Sequence, residues 1–537
     1  MLLRNIICKK LFHFKYFKIL HMSQNLFLDA LIGRDDFEIQ DQAQMSQGPH
    51  KTTLGYNDFS IPGFFFASLR KPDFQRETNE WDVEKVKDLV ASFLDGDLIP
   101  AIILWKYADS YTFVIDGAHR ISAIAAWVND DYGDGKISRK FFDNAIPEEQ
   151  IKIAVKAREL INKEIGSFKS FEDALFDQAN APKQIQSRLK NFGTRAIQLQ
   201  WVDGDAKKAE DSFFKINQKS TPISDTEMSI LKTRRKPIGL CARAILRGGQ
   251  GHRYWDKFQG KSEEIKIEAQ EINQLIFHPA LVTPIKTLDL PLGGKNHASN
   301  SLSMIFDLLT TLKVDDKNDD TDGTLTLKAL KDIKKILNAV NSNHPSSLGL
   351  HPAIYIYSSM GNFRVSSFNS IIAFTKYLIE QKKQKSFTEH RENFEKALYS
   401  SEHIIQQIGR KSRQSNKAIE PLLHFYIYIL DSLEKQISIT DILEKVNQNP
   451  NFQYIIQNSI PQLDNDFEIG NSFSKSIKSG SFLRDALPTA VRCKICNGIL
   501  HQKSISIDHI QRRQDGGKGV IDNAQLTHPY CNTTYKN

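Results

Sequence analysis

Two pairs of residues that can bind a metal stand near the end of the chain. Cys493 and Cys496 form a CxxC pair, and His528 and Cys531 form an HxxC pair, with 31 residues between the two pairs. Sulfur and imidazole ligands in two such pairs are typical of a closed tetrahedral zinc site. A domain of about 60 residues has little apolar core, so a bound metal would stabilise its fold. The spacing therefore predicts a structural zinc ion.

Between these pairs lie polar residues that a zinc site does not require. The β-prone run "SISID" (504–508) leads into Asp508 and His509, and "DGG" (515–517) is typical of a turn. The stretch "NAQLTHPYCNTTYK" could begin a helix near Asn523, which would place Asn532 beside the last zinc ligand. We therefore expect a hairpin and a helix on a zinc site, the frame of a ββα-metal nuclease.

The order of these short motifs is that of a known family. CxxC, DH, GG, NxQL, HxxCN and a final K resemble the zinc-stapled HNH endonucleases over about residues 490–537. One position departs from the family, which usually has Cys where this chain has His528. Because His also binds zinc, we count His528 as a metal ligand and not as a second catalytic histidine.

The resemblance implies a role for each remaining polar residue. His509 would be the general base that takes a proton from the attacking water, and Asn523 would brace the loop that orients it. Asp508 and Asn532 would bind a catalytic Mg²⁺ or Mn²⁺ ion. These residue types suit phosphodiester hydrolysis, which needs an activated water and a cation to neutralise charge on the phosphate. The alternative is a zinc ribbon without catalytic activity.

Positive charge is concentrated at the two ends of the chain. Out of a net charge of +8, residues 471–537 account for +6 and residues 1–28 for +5, which leaves −3 for the other 442 residues. A basic domain suggests a nucleic acid partner, because neutralising phosphates releases counterions. A solvated lysine-rich surface explains the charge alone equally well. The candidate phosphate contacts are Lys494, Lys503, Arg512, Arg513 and Lys518.

A second group of polar residues lies in the first half of the chain. "FVIDGAHRISAIAAW" (113–127) predicts a strand, a turn and a helix, with Asp116, Gly117, His119 and Arg120 at the turn. Glycine permits close backbone approach, the start of a helix offers N–H groups, and Arg adds a fixed pair of donors. Together they could hold a phosphate. A purely structural turn is the alternative.

Two flanking segments extend this pattern. "PDFQR" (72–76) precedes the turn, and "FFKINQKSTPISDTE" (213–227) follows it. This ordered set resembles the ParB-like superfamily over about residues 55–230, particularly the GmrSD-type branch. Where that branch commonly has DGQQR this chain has DGAHR, so the resemblance assigns no particular nucleotide. It implies a nucleotide or phosphate pocket formed by Gln75, Arg76, Asp116, Gly117, His119, Arg120 and Asn217.

The whole sequence predicts a multidomain α+β protein. Residues 1–54 are interpreted as an N-terminal extension. Its first 21 residues are either a transit peptide or the product of a start codon upstream of the natural one at Met22. The predicted domains are a ParB-like α/β domain (55–230), a mainly α-helical domain (231–465), a linker (466–489) and a small zinc-stapled ββα-metal HNH domain (490–537).

The cysteine and hydropathy patterns indicate a cytoplasmic, bacterial-type protein. Three of the five cysteines have metal-like spacing, which suits a reducing compartment better than a disulfide framework. No apolar run approaches the roughly eighteen residues that a membrane-spanning helix needs, so no membrane association is expected. A homo-oligomer is one way to cut both strands of a duplex.

These patterns together predict a metal-dependent HNH DNA endonuclease. An N-terminal domain that senses a nucleotide or DNA would control it, in restriction or anti-phage defence against modified or foreign DNA. One alternative is a nucleotide-dependent DNA-binding regulator whose zinc domain has no catalytic activity. Another is an NTPase with secondary nuclease activity. RNA also stays open as the substrate, because the HNH residues act on the phosphate.

Overall fold

The chain folds into two units. The computed structural model describes residues 25–35, 37, 50–60, 63–72, 75, 81–106, 111–144, 146–219, 225–296, 301–456 and 472–536. Unit 1 comprises Met1–Leu231 with Gln250–Tyr254, and unit 2 comprises Lys232–Gly249 with Trp255–Asn537. The prediction of a multidomain chain with mixed α and β structure is confirmed.

Unit 1 contains a six-stranded mixed sheet with the strand order β1-β3-β5-β4-β6-β2. The pairs β1/β3, β3/β5 and β4/β6 are parallel, and β4/β5 and β2/β6 are antiparallel. The strands are β1 (Arg34–Asp35), β2 (Thr53–Gly55), β3 (Leu69–Pro72), β4 (Ile102–Lys106), β5 (Thr112–Asp116) and β6 (Ala196–Trp201).

Apolar side chains cover both faces of this sheet. On β5, Val114 packs into one core cluster, while Phe113 and Ile115 pack into another with Trp105 of β4. A strand buried on both faces reads as a continuous apolar run, and "TFVI" in the sequence is such a run. The sheet therefore forms the rigid middle layer of unit 1.

The helices of unit 1 begin and end at recognisable signals. Asp82 accepts a hydrogen bond from the Lys85 N–H at the start of α2 (Val83–Asp95), and Gly96 ends that helix in the left-handed conformation. The others are α1 (Phe64–Ser68), α3 (Ala118–Val128), α4 (Lys136–Phe141), α5 (Glu148–Glu164), α6 (Phe168–Phe176), α7 (Lys183–Phe192), α8 (Ala206–Lys219) and α9 (Asp225–Lys232), the last of which runs one residue into unit 2.

Part of the segment interpreted as an N-terminal extension belongs to the sheet and to its core, so that interpretation is wrong for residues 25–35 and 53–54. Strand β1 pairs with β3, and β2 pairs with β6. The buried Asp29 carboxylate binds the Lys71 ammonium at 2.6 Å and Arg34 at 2.7 Å. The sequence did not predict these strands, because β1 and β2 are only two and three residues long and too short to show an alternating apolar pattern.

Unit 2 is mainly helical up to residue 456, as predicted. Its buried apolar residues come from helices with the 3.6-residue period, such as Leu330, Ile333 and Leu337. The helices are α10 (Pro237–Leu246), α11 (Ser262–Phe277), α12 (Ser301–Thr311), α13 (Thr324–Val340), α14 (Pro352–Tyr355), α15 (Val365–Glu380), α16 (Gln384–Ser400), α17 (Glu402–Ser412), α18 (Ile419–Glu434), α19 (Ile439–Glu444) and α20 (Lys475–Ala486).

Helix α20 lies inside the segment that the sequence predicted to be a linker. Ser474 caps its start by accepting a hydrogen bond from the Ile477 N–H, and Ser479 accepts one from the Ile285 N–H at 2.9 Å. The second half of that segment is therefore packed structure. Within the ranges given above, no helix combines the length and the apolar character needed to cross a membrane.

The end of the chain forms a two-stranded antiparallel sheet of β7 (Ser506–His509) and β8 (Ala524–Thr527). The prediction of a helix beginning near Asn523 is wrong, since "AQLT" is the second strand and the helical residues after it begin only at Pro529. In β8, Gln525 and Thr527 face the inside of the domain and Leu526 faces outward, which is the alternation of a strand. A run of four residues is too short for sequence patterns to distinguish a strand from a helix.

Candidate active site and metal centre

The four predicted zinc ligands come together in the structure. The ligand atoms of Cys493, Cys496, His528 and Cys531 all lie within 4.8 Å of one another, and all four residues are buried. His528 Nδ1 is 3.3 Å from Cys496 Sγ and 3.9 Å from Cys531 Sγ. Zinc bonds of about 2.3 Å to sulfur and 2.0 Å to nitrogen match this spacing. The residues therefore fit a tetrahedral metal ion.

Two tight turns present these ligands. In the first, the Cys493 N–H donates to the Gly498 carbonyl at 2.9 Å and the Asn497 N–H donates to the Cys493 carbonyl at 2.9 Å. In the second, the Asn532 N–H donates to the His528 carbonyl at 3.0 Å and closes the helical turn at the end of the chain. These backbone hydrogen bonds hold the two ligand pairs in tight turns.

Asp508 lies on the inner side of the hairpin. It is opposite Gln525 in the register of β7 and β8, and its Oδ2 accepts hydrogen bonds from Gln525 Nε2 and from the Lys536 ammonium, each at 2.7 Å. The carboxylate is buried and held next to a positive charge. Asp508 is therefore one partner of an ion pair inside the hairpin domain.

Asn532 connects the last helical turn to β7. Its amide nitrogen donates to Ser506 Oγ at 2.7 Å and to the Ile507 carbonyl at 3.2 Å. This brings the side chain to the strand that carries Asp508. Carboxylate and amide oxygens are the donors that a hard divalent cation prefers, so the donor types fit such an ion.

His509 follows Asp508 at the end of β7 and is half-buried. Because side chains alternate along a strand, His509 shares the outward face with Ile507 and with Leu526 of β8. The Nε of Arg513 lies 3.5 Å from His509 Nε2. The imidazole is thus at the surface of the nuclease segment beside a cationic side chain.

Asn523 fixes the loop between the two strands. Its Oδ1 accepts from the Gln511 N–H at 2.7 Å, and its Nδ2 donates to the Gln511 carbonyl at 3.1 Å and the Lys518 carbonyl at 2.8 Å. The Asn523 carbonyl also accepts from the Ile510 N–H, the residue after His509. Asn523 therefore braces the loop that follows the predicted base.

The sequence analysis did not assign a role to Lys536. Its ammonium contacts the Asp508 carboxylate and the backbone carbonyl of His509. It therefore holds together the two residues that the resemblance placed at the reaction centre. The final K of the quoted motif order was the available signal, but only the fold shows which atoms that lysine contacts.

The five predicted phosphate contacts do not share one environment. Lys494, Arg513 and Lys518 are exposed. Arg512 donates to the Lys536 carbonyl, and Lys503 donates to the Gln274 carbonyl at 3.0 Å. Burial lowers the pKa of Lys503 to about 8. The structure thus leaves three of the five cations at the surface and uses the other two in internal contacts.

The N-terminal turn is built as the sequence predicted. Asp116 ends β5, Gly117 is left-handed with φ 97°, and α3 begins at Ala118. A Cβ at Gly117 would lie 2.9 Å from Ile102 Cγ1 and 3.0 Å from Arg120 Nη2, so glycine is required there. Arg120 Nη2 binds Asp116 Oδ2 at 2.6 Å and the Ala101 carbonyl at 3.2 Å.

The other predicted pocket residues are only partly described. His119 stacks on Trp81 with ring centroids 5.8 Å apart, a contact that the sequence analysis missed. Gln75 is buried and its carbonyl accepts from Arg34. Arg76 and the side chain of Asn217, which belongs to α8, lie outside the described residues. The described part therefore places Asp116, Gly117 and Arg120 together.

Comparison with known families agrees with both groups of residues. Residues 60–234 match the family model described as GmrSD restriction endonuclease, N-terminal domain, and residues 493–537 match the family model described as HNH endonuclease. No curated protein and no solved structure gives a significant match. The chain therefore joins an N-terminal GmrSD restriction endonuclease domain to a C-terminal HNH endonuclease domain, and it is an endonuclease that hydrolyses DNA.

Proposed function

We propose that this protein is a divalent-metal-dependent HNH endonuclease whose activity is controlled by its N-terminal domain. The observation that carries the proposal is the arrangement of His509, Asp508 and Asn532. Asp508 and His509 are consecutive at the end of β7, and Asn532 donates to the Ile507 carbonyl of the same strand. The same segment of the chain carries the buried cluster of three cysteines and one histidine. The family match over the same segment supports this assignment.

Each polar residue of the hairpin has a separate role in the proposed hydrolysis. His509 accepts a proton from the attacking water, since an imidazole is a base near neutral pH. Asp508 and Asn532 would hold a Mg²⁺ or Mn²⁺ ion, which when bound neutralises charge on the phosphate. Asn523 holds the loop after His509, and Lys536 fixes the His509 carbonyl and the Asp508 carboxylate.

The cysteine–histidine cluster would hold zinc as a structural ion. Four ligands with no open position are typical of structural rather than catalytic zinc. The apolar cluster at this site is small, since in the part of the chain that the structure describes only Leu500 and Ile495 join the three cysteines. A core of that size cannot by itself stabilise the segment, so the metal supplies the missing cross-link.

The N-terminal domain has features of a phosphate sensor. Gly117 immediately precedes α3 and has no side chain to cover the first N–H groups of that helix, which favour an anion. Arg120 Nε is a buried donor without an acceptor among the described residues, and a phosphate oxygen would satisfy it. We assign this domain a ParB-like fold, and a nucleotide or DNA phosphate is its proposed ligand.

A role in restriction or anti-phage defence accounts for the combination of domains. The nuclease segment is short and its hairpin leaves few side chains for reading bases, so an uncontrolled enzyme would cut host DNA. Most of the chain is therefore available for recognition and control. Modified or foreign DNA is the proposed target.

Cleavage of plasmid DNA tests the proposal. The full chain is incubated with supercoiled plasmid and Mg²⁺ or Mn²⁺, with and without each nucleoside triphosphate, and with unmodified or modified phage DNA. We expect nicked or linear products, which EDTA abolishes. His509→Ala should lower the rate by about 10²- to 10⁴-fold, while His424→Ala, which removes an exposed histidine of α18, should not.

Variants at the N-terminal turn test its control of the nuclease. Arg120→Ala should remove any dependence of cleavage on nucleotide or modified DNA, and Arg195→Ala, at an exposed arginine of unit 1, should retain it. Binding of DNA without cleavage under every condition would instead support a DNA-binding regulator. Phosphate release that is lost in Arg120→Ala but kept in His509→Ala would support an NTPase.

A further inference from the structure

The imidazole of His528 is oriented by a backbone carbonyl. Its Nδ1 faces the sulfur atoms of Cys496 and Cys531, and its Nε2 lies 3.2 Å from the Ile499 carbonyl oxygen. A neutral imidazole that binds a metal through Nδ1 carries its proton on Nε2 and donates it to that carbonyl. The position of Ile499 therefore determines which nitrogen faces the cluster.

Ile499 is itself held by a buried carboxylate of helix α16. Glu395 Oε2 accepts from the Ile499 N–H at 3.1 Å. Its Oε1 accepts from Arg391 Nε at 2.8 Å and from the Tyr355 hydroxyl at 3.1 Å. The side chains of Arg391 and Glu395 are 1% and 4% exposed. A buried ion pair with this many hydrogen bonds holds its partners in one geometry.

Arg391 holds a second backbone segment that lies against the same imidazole. Its Nη2 donates to the Gly349 carbonyl at 2.8 Å, and its Nη1 donates to the Leu348 carbonyl. Gly349 has φ 63°, and a Cβ there would overlap the His528 ring. The guanidinium also lies over Gly498, where a Cβ would clash with it. Arg391 thus fixes the backbone that packs against His528.

We propose that Arg391 and Glu395 are positioning residues that hold the His528 ring for metal binding. The inference rests on the proposed metal centre. A histidine ligand binds along one direction in the plane of its ring, so its orientation must be fixed, whereas a thiolate has no second nitrogen to orient. Glu395 fixes the residue whose carbonyl accepts from Nε2, and Arg391 fixes the Leu348–Gly349 backbone that packs against the ring. The helical part of unit 2 thus supports the ligand that departs from the usual cysteine.

The test compares zinc affinity in two backgrounds of the full chain. Zinc content and chelator competition are measured for Glu395→Gln and Arg391→Lys, with folding followed by circular dichroism. The control is Glu380→Gln, which removes an exposed carboxylate near Lys376 at the end of α15. We expect Glu395→Gln to lower zinc affinity by about 10- to 100-fold. In the His528→Cys background the same change should cost less than about threefold.

Cobalt substitution supplies a second readout. The d–d absorption of the Co²⁺-loaded chain should shift in Glu395→Gln and not in Glu380→Gln, because only the former changes the direction of the imidazole. If Glu395→Gln does not fold, Arg391→Lys is tested in the same way, since it keeps the buried positive charge.

Three results would overturn the proposal. Equal losses of zinc affinity in the His528 and His528→Cys backgrounds would show that Arg391 and Glu395 stabilise the fold in general and do not position the imidazole. If Glu395→Gln left both the zinc affinity and the cobalt spectrum unchanged, the orientation of the His528 ring would not depend on the Arg391–Glu395 pair. A wild-type chain that binds no zinc would refute the metal centre itself, a result distinct from the other two.

Discussion

Single residues of the hairpin determine how the predicted base is held. Asn523 makes three side-chain hydrogen bonds to the backbone of Gln511 and Lys518, and Lys536 binds the carbonyl of His509. Both contacts act on the backbone that carries His509, and neither reaches its ring. They therefore favour a positioning role for these two residues and leave proton transfer to the imidazole.

Asn523→Ala should slow cleavage with little loss of global stability. The substitution removes all three hydrogen bonds that fix the loop, and small displacements of a reacting group cost up to about 100-fold in rate. The loop is exposed, so its loosening is a local event. The rate of plasmid cleavage and the urea midpoint are measured, with Gln514→Ala, at an exposed residue of the same loop, as the control. A cleavage rate equal to that of the control would contradict the bracing role.

The stability of unit 2 should fall below neutral pH because of His501. Burial lowers the pKa of His501 from 6.5 to about 4, and its Nδ1 accepts from Asn341 Nδ2 at 3.1 Å. The folded state therefore favours neutral imidazole, and the unfolded state binds the extra proton between pH 6.5 and 4. The stabilisation is complete above pH 6.5 and is lost as the pH falls, by about 2 kcal/mol at pH 5.

Urea unfolding between pH 7.5 and 5 measures this effect. His501→Gln should make the pH dependence shallower, while His344→Gln, at an exposed histidine, should leave it unchanged. Burial also lowers the pKa of His351, so some dependence should remain in the His501 variant. A wild-type slope in His501→Gln would show that this residue is not responsible.

At the level of elements, helices and strands with a clear pattern were predicted well, whereas three of the short strands were not. Helix α3 begins where the sequence places it, because Gly117 marks the turn before its first residue. Strand β8 was mistaken for a helix, and β1 and β2 were placed in an extension. Each of these strands has four or fewer residues, and tertiary pairing decides the conformation of such short runs.

Truncations test whether β1 is part of the N-terminal fold. A chain that begins at Met22 keeps Asp29 and β1, whereas a chain that begins at Met45 lacks both. We expect the first to unfold like the full chain and the second to lose cooperative unfolding of unit 1, because the carboxylate that binds the buried Lys71 ammonium is gone. Thermal unfolding and limited proteolysis measure the difference. Equal stability of both chains would show that β1 is dispensable.

In the molecule as a whole, the nuclease segment belongs to the helical unit and is not a separate module. The Tyr530 N–H donates to the Ser347 carbonyl at 3.0 Å, and Ser504 Oγ lies 2.9 Å from Ser347 Oγ. The buried Glu395 adds its hydrogen bond to Ile499. The helical region therefore supplies part of the structure around the metal cluster.

A fragment of residues 490–537 should not fold by itself, even with zinc. It lacks the loop that contains Ser347 and the helix that carries Glu395, so buried backbone groups would lose their partners. A fragment of residues 232–537 keeps both and should unfold cooperatively. Zinc stoichiometry and thermal unfolding distinguish the two, and a stable zinc-bound short fragment would show that the helical contacts are unnecessary.

The candidate site residues can be recognised in the sequence alone, whereas the contacts that support them depend on the tertiary fold. The zinc ligands, the Asp508–His509 pair and the DGAHR turn could be recognised because their types and spacing are local properties of the chain. The contacts of Lys536, the stacking of Trp81 on His119 and the hydrogen bonds of Arg391 and Glu395 could not. They join residues far apart in sequence, Glu395 and Ile499 being 104 positions apart, and only packing of the whole unit brings them together.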